Sequence, residues 1–166
     1  MSDIALNRMS EKDARHALEA CCVSRRWVEG MLAARPFADA NALYESSDLA
    51  WSRCGEADWL EAFVCHPKFG DVNSLREMYA RTSSLAASEQ SGMQSASDDQ
   101  IRRLAEGNAA YEDRFGFIFI VCASGKTAAE MADLLKVRLG HDRVTELAIA
   151  AQEQHKITRL RLERLL

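Results

Sequence analysis

One nine-residue stretch, residues 115–123, is the single part of this sequence that reads as a β-strand. It is continuous, apolar and rich in aromatic and β-branched side chains. A lone strand cannot form a sheet, so the rest of the chain has to pack as helices. We therefore predict an all-α fold in which residues 115–123 form a buried extended segment. Its backbone amides need hydrogen-bond partners, and a ligand could supply them.

Helix start and stop signals divide the remaining sequence into about eight helices. A capping side chain followed three residues later by an acid or an amide occurs at Ser10, Ser97 and Thr127. Ser24 and Asp39 are further N-cap candidates. With no linker and no internal repeat, we expect a single helical bundle over residues 1–166. The predicted helices cover residues 10–22, 24–36, 39–54, 56–64, 72–80, 97–114, 127–140 and 142–166.

Composition excludes several classes of protein. A net charge of −4 and a pI near 5.6 give no electrostatic basis for binding nucleic acid or anionic membrane. No apolar run reaches the length of a membrane span, and the first residues lack the apolar core of a signal peptide. The five cysteines have no paired spacing, which is typical of free thiols in a reducing compartment. We expect a soluble cytoplasmic protein.

Two familiar kinds of site are absent from the sequence. Residues 124–127 imitate the end of a phosphate-binding loop, but Ile120 stands where that loop requires glycine. The four histidines lie far apart, without the spacing of metal ligands, so no metal site is expected. His155 shares an apolar helical stripe and is interpreted as a packed histidine, while His16 and His141 are expected at the surface or at helix ends.

His66 is the histidine whose position suits chemistry. A short apolar helix leads up to it, and Pro67 follows and restricts its backbone, which fixes the direction of the ring. An imidazole held at a helix end can donate or accept a proton near neutral pH. The alternative interpretation of the same residues is a capped helix C-terminus followed by a stop signal.

Two further places carry candidate polar groups. Glu89 and Gln90 lie near the middle of a short helix that Ser84 can cap, before a polar loop at residues 91–97. Arg161 lies near the seam of the apolar stripes of the last helix, so it can face inward towards an anion. A solvated surface is the alternative for both.

In combination these residues resemble the 2-oxo-4-hydroxy-4-carboxy-5-ureidoimidazoline (OHCU) decarboxylase family. The resemblance covers roughly residues 43–166, in the same order and at similar spacing. The matching elements are the His66-Pro67-x-Phe69-Gly70-Asp71 turn, Glu89-Gln90, the run from Leu104 through Asn108, Tyr111 and Arg114 to Phe119, and the Arg138-Leu139, Glu146, Lys156-Ile157 and Leu160-Arg161-Leu162 segments of the last helices.

The resemblance implies an all-helical, cofactor-free decarboxylase, often a homodimer, that converts a ureidoimidazoline carboxylate to S-allantoin and CO2 in urate degradation. By position it implies His66 and Glu89 as catalytic residues. Pro67, Gln90 and Arg161 would then bind substrate, together with the backbone of Phe119, Ile120 and Val121.

One position departs from the pattern of the family. The motif serine three residues before the glutamate is Ala86 in this chain, which leaves the substrate contacts at this corner open. A decarboxylase of a related ureido acid is therefore an alternative. A non-catalytic helical binding module is a second one, since an all-α domain of this size suits many partners.

Overall fold

The computed structural model describes residues 3–66 and 98–166, and within these ranges the chain is helical without a β-strand. Eight helices are described: α1 (Ala5–Arg8), α2 (Glu11–Glu19), α3 (Arg25–Ala34), α4 (Ala40–Ser52), α5 (Glu56–Phe63), α6 (Asp98–Phe115), α7 (Ala128–Leu139) and α8 (Arg143–Glu163). The all-α fold predicted from the sequence is confirmed. The predicted helix at 72–80, the short helix at Ser84 and the loop at 91–97 lie outside the described residues.

Side-chain caps explain where several of these helices begin. The hydroxyl of Ser10 accepts a hydrogen bond from the backbone amide of Asp13 at 3.1 Å, and the carboxylate of Asp39 accepts one from the amide of Ala42 at 2.8 Å. Thr127 and Glu130 form a reciprocal capping box at the start of α7. Ser24 was expected to cap α3 in the same way, but its side chain makes no capping bond. Its hydroxyl lies 3.8 Å from the thiol of Cys54 instead, in buried surroundings.

The chain divides into two compact units, Met1–His66 with Ile149–Leu166, and Pro67–Ala148. In the first unit, apolar faces of α1 to α4 and the end of α8 form a buried core, in which Trp27 donates to the hydroxyl of Ser47 at 3.1 Å. The largest fully buried side chains of this core are Trp27, Ile4, Leu6, Leu18, Met31 and Leu43.

In the second unit, α6 packs along α7, and the extended segment follows α6 directly. Gly116 makes the turn between them with φ +80°, a conformation that favours glycine. Residues 116–122 are then free of helix and strand, and most of their side chains are buried. Tyr111 packs against the rings of Phe115, Phe117 and Phe119, with centroids 4.6–5.8 Å apart. The predicted buried segment is therefore present, but it begins at Gly116, because Phe115 is still the last residue of α6.

Three further observations bear on the sequence-based expectations. No helix of residues 3–66 and 98–166 is long and apolar enough to cross a membrane. All five cysteines are free thiols, and Cys65 is the exposed one. The four-residue α1 was not predicted, because so short a helix carries too few positions for a periodic pattern.

Candidate active site

His66 lies just beyond the end of α5, where its amide donates to the carbonyl of Phe63 at 3.2 Å. The backbone is thereby fixed at the helix terminus, and the ring is half-buried. Its Nε2 is hydrogen-bonded to Oε1 of Gln154, which is fully buried on α8. The imidazole is therefore held on one side by a residue that is distant in sequence but belongs to the same compact unit.

The Gln154 side chain is itself anchored. Its amide nitrogen donates to the hydroxyl of Thr158 at 3.0 Å, one helical turn further along α8. That hydroxyl donates in turn to the backbone carbonyl of Gln154, also at 3.0 Å. Since both side chains are buried, the short chain of bonds from α8 to His66 is shielded from competing water.

These surroundings lower the pKa of His66 below the ordinary value of 6.5. The main cause is burial, which disfavours the charged imidazolium, and the positive charge of Arg161 acts in the same direction. The hydrogen bond to Gln154 opposes both effects without cancelling them. At neutral pH His66 is therefore an uncharged base.

Arg161 lies on α8 two turns beyond Gln154 and is half-buried, whereas Arg159 and Arg164 are exposed. Its guanidinium donates to the carbonyl of Cys21 at 3.2 Å. Within residues 3–66 and 98–166 this is the one hydrogen bond of Arg161, and a guanidinium carries five N–H donors, so others can bind an anion or a ureido group.

The extended segment belongs to the second unit, where it is tied to a buried ion pair. Phe119, Ile120 and Val121 are all buried. Arg138, on α7, donates to the carbonyl of Ile120 at 2.5 Å, and its guanidinium lies 4.6 Å from the centroid of the Phe119 ring. Its Nε also donates to Glu146 at 2.7 Å. Arg138 thus fixes both the backbone and one side chain of the segment.

Glu146 is fully buried and serves three partners. Besides Arg138 it accepts the hydroxyl of Tyr111 at 2.6 Å and binds Nδ1 of His141 at 2.8 Å. Burial and the bond to this carboxylate raise the pKa of Tyr111, so the phenol stays protonated and continues to donate. This network fixes the extended segment in place. A backbone that offers hydrogen-bonding groups to a ligand has to be fixed in this way.

The candidate residues from the sequence are distributed as follows. His66 and Arg161 belong to the first unit, in which the charge of Arg161 acts on the ring of His66. Residues 119–121 belong to the second unit. Pro67, Glu89 and Gln90 lie outside the described residues. No group of three or more His, Cys, Asp or Glu side chains in the described ranges is placed to hold a metal ion.

Sequence reasoning did not assign roles to Gln154, Thr158 and Arg138. Gln154 and Thr158 are four residues apart, on the same face of α8 as the buried Leu162. Polar residues on an otherwise apolar helical stripe were the available signal, since buried polar groups require partners. His155, interpreted as a packed histidine, stacks on Trp51 and binds Asp48 at 2.6 Å.

The fold and these contacts define a small all-α protein with an uncharged, half-buried histidine suited to acid–base chemistry. Its family follows from comparison with known proteins. The sequence model described as OHCU decarboxylase matches residues 7–163. The chain belongs to the OHCU decarboxylase family.

Individual relatives agree with this assignment. The chain is 41% identical, over 89% of its length, to the uric acid degradation bifunctional protein TTL of Arabidopsis thaliana, of which it covers 45%. It is 25% identical to the 2-oxo-4-hydroxy-4-carboxy-5-ureidoimidazoline decarboxylase of Haloferax volcanii, over 95% of this chain and 91% of the relative. A crystal structure of OHCU decarboxylase in the presence of (S)-allantoin superimposes with a TM-score of 0.74 at 33% identity, covering 95% of this chain and 98% of that one.

The bifunctional relatives are much longer than this chain. The chain spans 45% of the Arabidopsis thaliana protein and 31% of a bifunctional relative from Bacillus. It covers nearly the whole of the superimposed OHCU decarboxylase.

Proposed function

We propose that this chain decarboxylates 2-oxo-4-hydroxy-4-carboxy-5-ureidoimidazoline to S-allantoin and CO2, the last step of urate degradation. The observation that carries the proposal is His66, an uncharged imidazole held at a helix end in half-buried surroundings. Family membership and the likeness to an OHCU decarboxylase crystallised with (S)-allantoin support the choice of substrate.

The reaction replaces a carboxylate by a proton. As CO2 leaves, its electron pair passes into the conjugated ring of the substrate and gives an enol or enolate, which takes up a proton at a ring carbon. Because the substrate itself delocalises these electrons, no pyridoxal, thiamine or metal sink is required. The protein has to hold the carboxylate away from water and deliver the proton to one face of the ring.

In this proposal His66 is the group that moves the proton. Its neutral form accepts the proton of the substrate hydroxyl and passes a proton to the neighbouring ring carbon. A positioned acid–base group of this kind contributes about 10²–10⁴-fold to the rate. Glu89 orients His66 or holds the substrate hydroxyl, and Pro67 sets the direction of the ring.

The remaining proposed residues bind substrate. Arg161 and Gln90 hold the ureido and carbonyl groups, together with backbone groups of residues 119–121. The support for Arg161 is its half-buried position and its remaining donors. The support for the extended segment is its anchorage, since Arg138 holds the carbonyl of Ile120. A backbone fixed in this way presents its neighbouring amides without reorganisation.

Three properties of the whole protein belong to the same proposal: one decarboxylase domain over residues 1–166, a homodimer, and a cytoplasmic location. The family resemblance supports the first two, and the five free thiols support a reducing compartment. Light scattering coupled to gel filtration measures the assembly, for which we expect twice the mass of the 18.5 kDa chain.

The function is tested by generating the substrate in situ from urate with urate oxidase and hydroxyisourate hydrolase. Circular dichroism then follows the appearance of allantoin with and without this protein. We expect faster formation of a single enantiomer in its presence. Slow, racemic allantoin at the same rate in both samples would contradict the proposal and favour the non-catalytic binding module. A single enantiomer formed only from a different ureido acid would favour the related decarboxylase.

A further inference from the structure

The hydrogen bonds behind His66 determine which of its ring nitrogens carries the proton. The hydroxyl of Thr158 has one proton to donate. That proton goes to the backbone carbonyl of Gln154 at 3.0 Å. The thiol of Cys22 is a second partner of this hydroxyl, and a proton given to its sulfur would equally be withheld from the side chain of Gln154. Towards the side chain of Gln154, the Thr158 oxygen can therefore only accept a hydrogen bond.

This constraint fixes the orientation of the Gln154 amide. A primary amide has an end that donates and an end that accepts, and the hydrogen-bond network decides which way it points. Because Thr158 must accept, the NH2 end of Gln154 faces Thr158 at 3.0 Å. The carbonyl oxygen then faces Nε2 of His66. Gln154 and Thr158 are both buried, so water does not offer either of them a competing partner.

An amide oxygen can only accept, so Nε2 of His66 has to be the donor. A neutral imidazole has one N–H and one lone pair, so a proton on Nε2 leaves the lone pair on Nδ1. Burial keeps the ring in its neutral form at pH 7 by lowering the pKa. The order of bonds along α8 thus selects one of the two neutral tautomers.

We propose that Gln154 and Thr158 are positioning residues that hold neutral His66 as its Nε2–H tautomer, so that Nδ1 is the atom that exchanges the proton with substrate. The tautomer follows from the described contacts alone, while its use by substrate rests on the proposed function. Nε2 stays bonded to Gln154 throughout. When Nδ1 accepts the substrate proton, the resulting imidazolium keeps its Nε2–H bond to an oxygen, which stabilises the charge.

The tautomer can be measured without substrate, so its failure and that of the decarboxylase function are distinguishable. Histidine is labelled with ¹⁵N, and long-range ¹H–¹⁵N spectra are recorded at about pH 8, above the ordinary histidine pKa. The His66 signals are assigned by their loss in His66→Asn. We expect a protonated-type Nε2 and an unprotonated-type Nδ1 for His66, whereas exposed His16 in the same spectrum averages over both tautomers. A protonated-type Nδ1 at His66, or averaging like that of His16, would overturn the proposal.

A matched pair of substitutions tests the positioning role. Thr158→Val removes the hydroxyl that orients the amide and keeps the size of the side chain, while Thr158→Ser keeps the hydroxyl. In Thr158→Val we expect the Nδ1–H tautomer of His66 to appear beside the Nε2–H tautomer. The value of kcat should fall in proportion to the fraction of molecules in the Nδ1–H form, with KM little changed. Thr158→Ser should retain the wild-type tautomer and kcat. A Thr158→Val protein with a wild-type spectrum and wild-type kcat would overturn the role of Thr158.

Discussion

At the scale of single residues, the environment of His66 sets its protonation state. Burial and the charge of Arg161 both lower its pKa below 6.5. Each favours the uncharged ring, which is the form a base requires. The hydrogen bond that Nε2 of His66 donates to Oε1 of Gln154 opposes this shift in pKa and fixes the ring. A histidine in water would be partly protonated near neutral pH, so these contacts widen the pH range over which His66 is uncharged.

This shift predicts the acidic limb of the pH profile. As the pH falls, the free enzyme loses activity when His66 becomes protonated, so the limb of kcat/KM should lie below 6.5. Arg161→Gln removes one of the two causes of the lowered pKa and should move the limb upward. Steady-state rates from pH 5 to 8 measure both positions. A wild-type limb at or above the ordinary histidine value would contradict this account of His66.

Arg161 allows a test of substrate binding against a neighbouring control. Arg161→Lys keeps the positive charge but loses the planar fork that pairs with a carboxylate or ureido group. We expect kcat/KM to fall roughly 10–100-fold, since a hydrogen bond to a charged group contributes about 1.5–3 kcal/mol. Arg164→Lys, at an exposed position of the same stretch, should change neither kinetic constant. Equal effects of the two substitutions would exclude a specific contact at Arg161.

At the scale of elements, two helices serve different tasks. In the first unit, α8 carries Gln154, Thr158 and Arg161 at spacings of four and three residues, which places all three on one face of the helix. In the second unit, α7 supplies Arg138, which anchors the extended segment through the carbonyl of Ile120. Each element thus orients groups that belong to another part of the chain.

The buried pair of Arg138 and Glu146 predicts a large effect on stability. Arg138→Met leaves a carboxylate buried without its main partner and frees the carbonyl of Ile120. We expect the free energy of unfolding to fall by about 3–5 kcal/mol, as is usual when one member of a buried pair is removed. Urea denaturation measures this loss.

The control lies on the same helix. Lys136→Met, at an exposed position of α7, should alter the free energy of unfolding by less than about 0.5 kcal/mol. The double substitution Arg138→Met with Glu146→Met should recover part of the loss, since it removes the unpaired charge. A single Arg138→Met variant as stable as Lys136→Met would show that the pair does not hold the segment.

At the scale of the whole molecule, the sequence predicted the features that depend on residues close together along the chain, such as where helices begin. The capping signals at Ser10, Asp39 and Thr127 act within three residues, and all three helices begin where these signals predict. Ser24 is the N-cap residue of α3 as predicted, but its side chain makes no capping bond, and its hydroxyl instead contacts Cys54, thirty residues away. Hydrogen bonds between neighbours along the chain can be predicted from a sequence, whereas a side-chain contact with a distant element cannot.

The same distinction applies to the candidate site. His66 could be selected because its turn is a local feature. Gln154, however, lies 88 residues from its partner, and nothing in the spacing of the two residues predicts that bond. The backbone amides of residues 115–123 were expected to need partners. At Ile120 it is the carbonyl that is bonded, and it accepts from Arg138. Which donor reaches this carbonyl depends on the path of the backbone between α6 and α7.

A pair of histidine substitutions tests directly whether His66 moves the proton in a stereospecific decarboxylation, as we propose. His66→Asn and His16→Asn remove the same functional group, from the half-buried site and from an exposed position on α2. Both variants are measured by circular dichroism of allantoin formed from substrate generated in situ. We predict that His66→Asn loses about 10²-fold or more of the enzymatic rate, while His16→Asn keeps wild-type rate and enantiomer. A His66→Asn protein that forms S-allantoin as fast as His16→Asn would contradict the account.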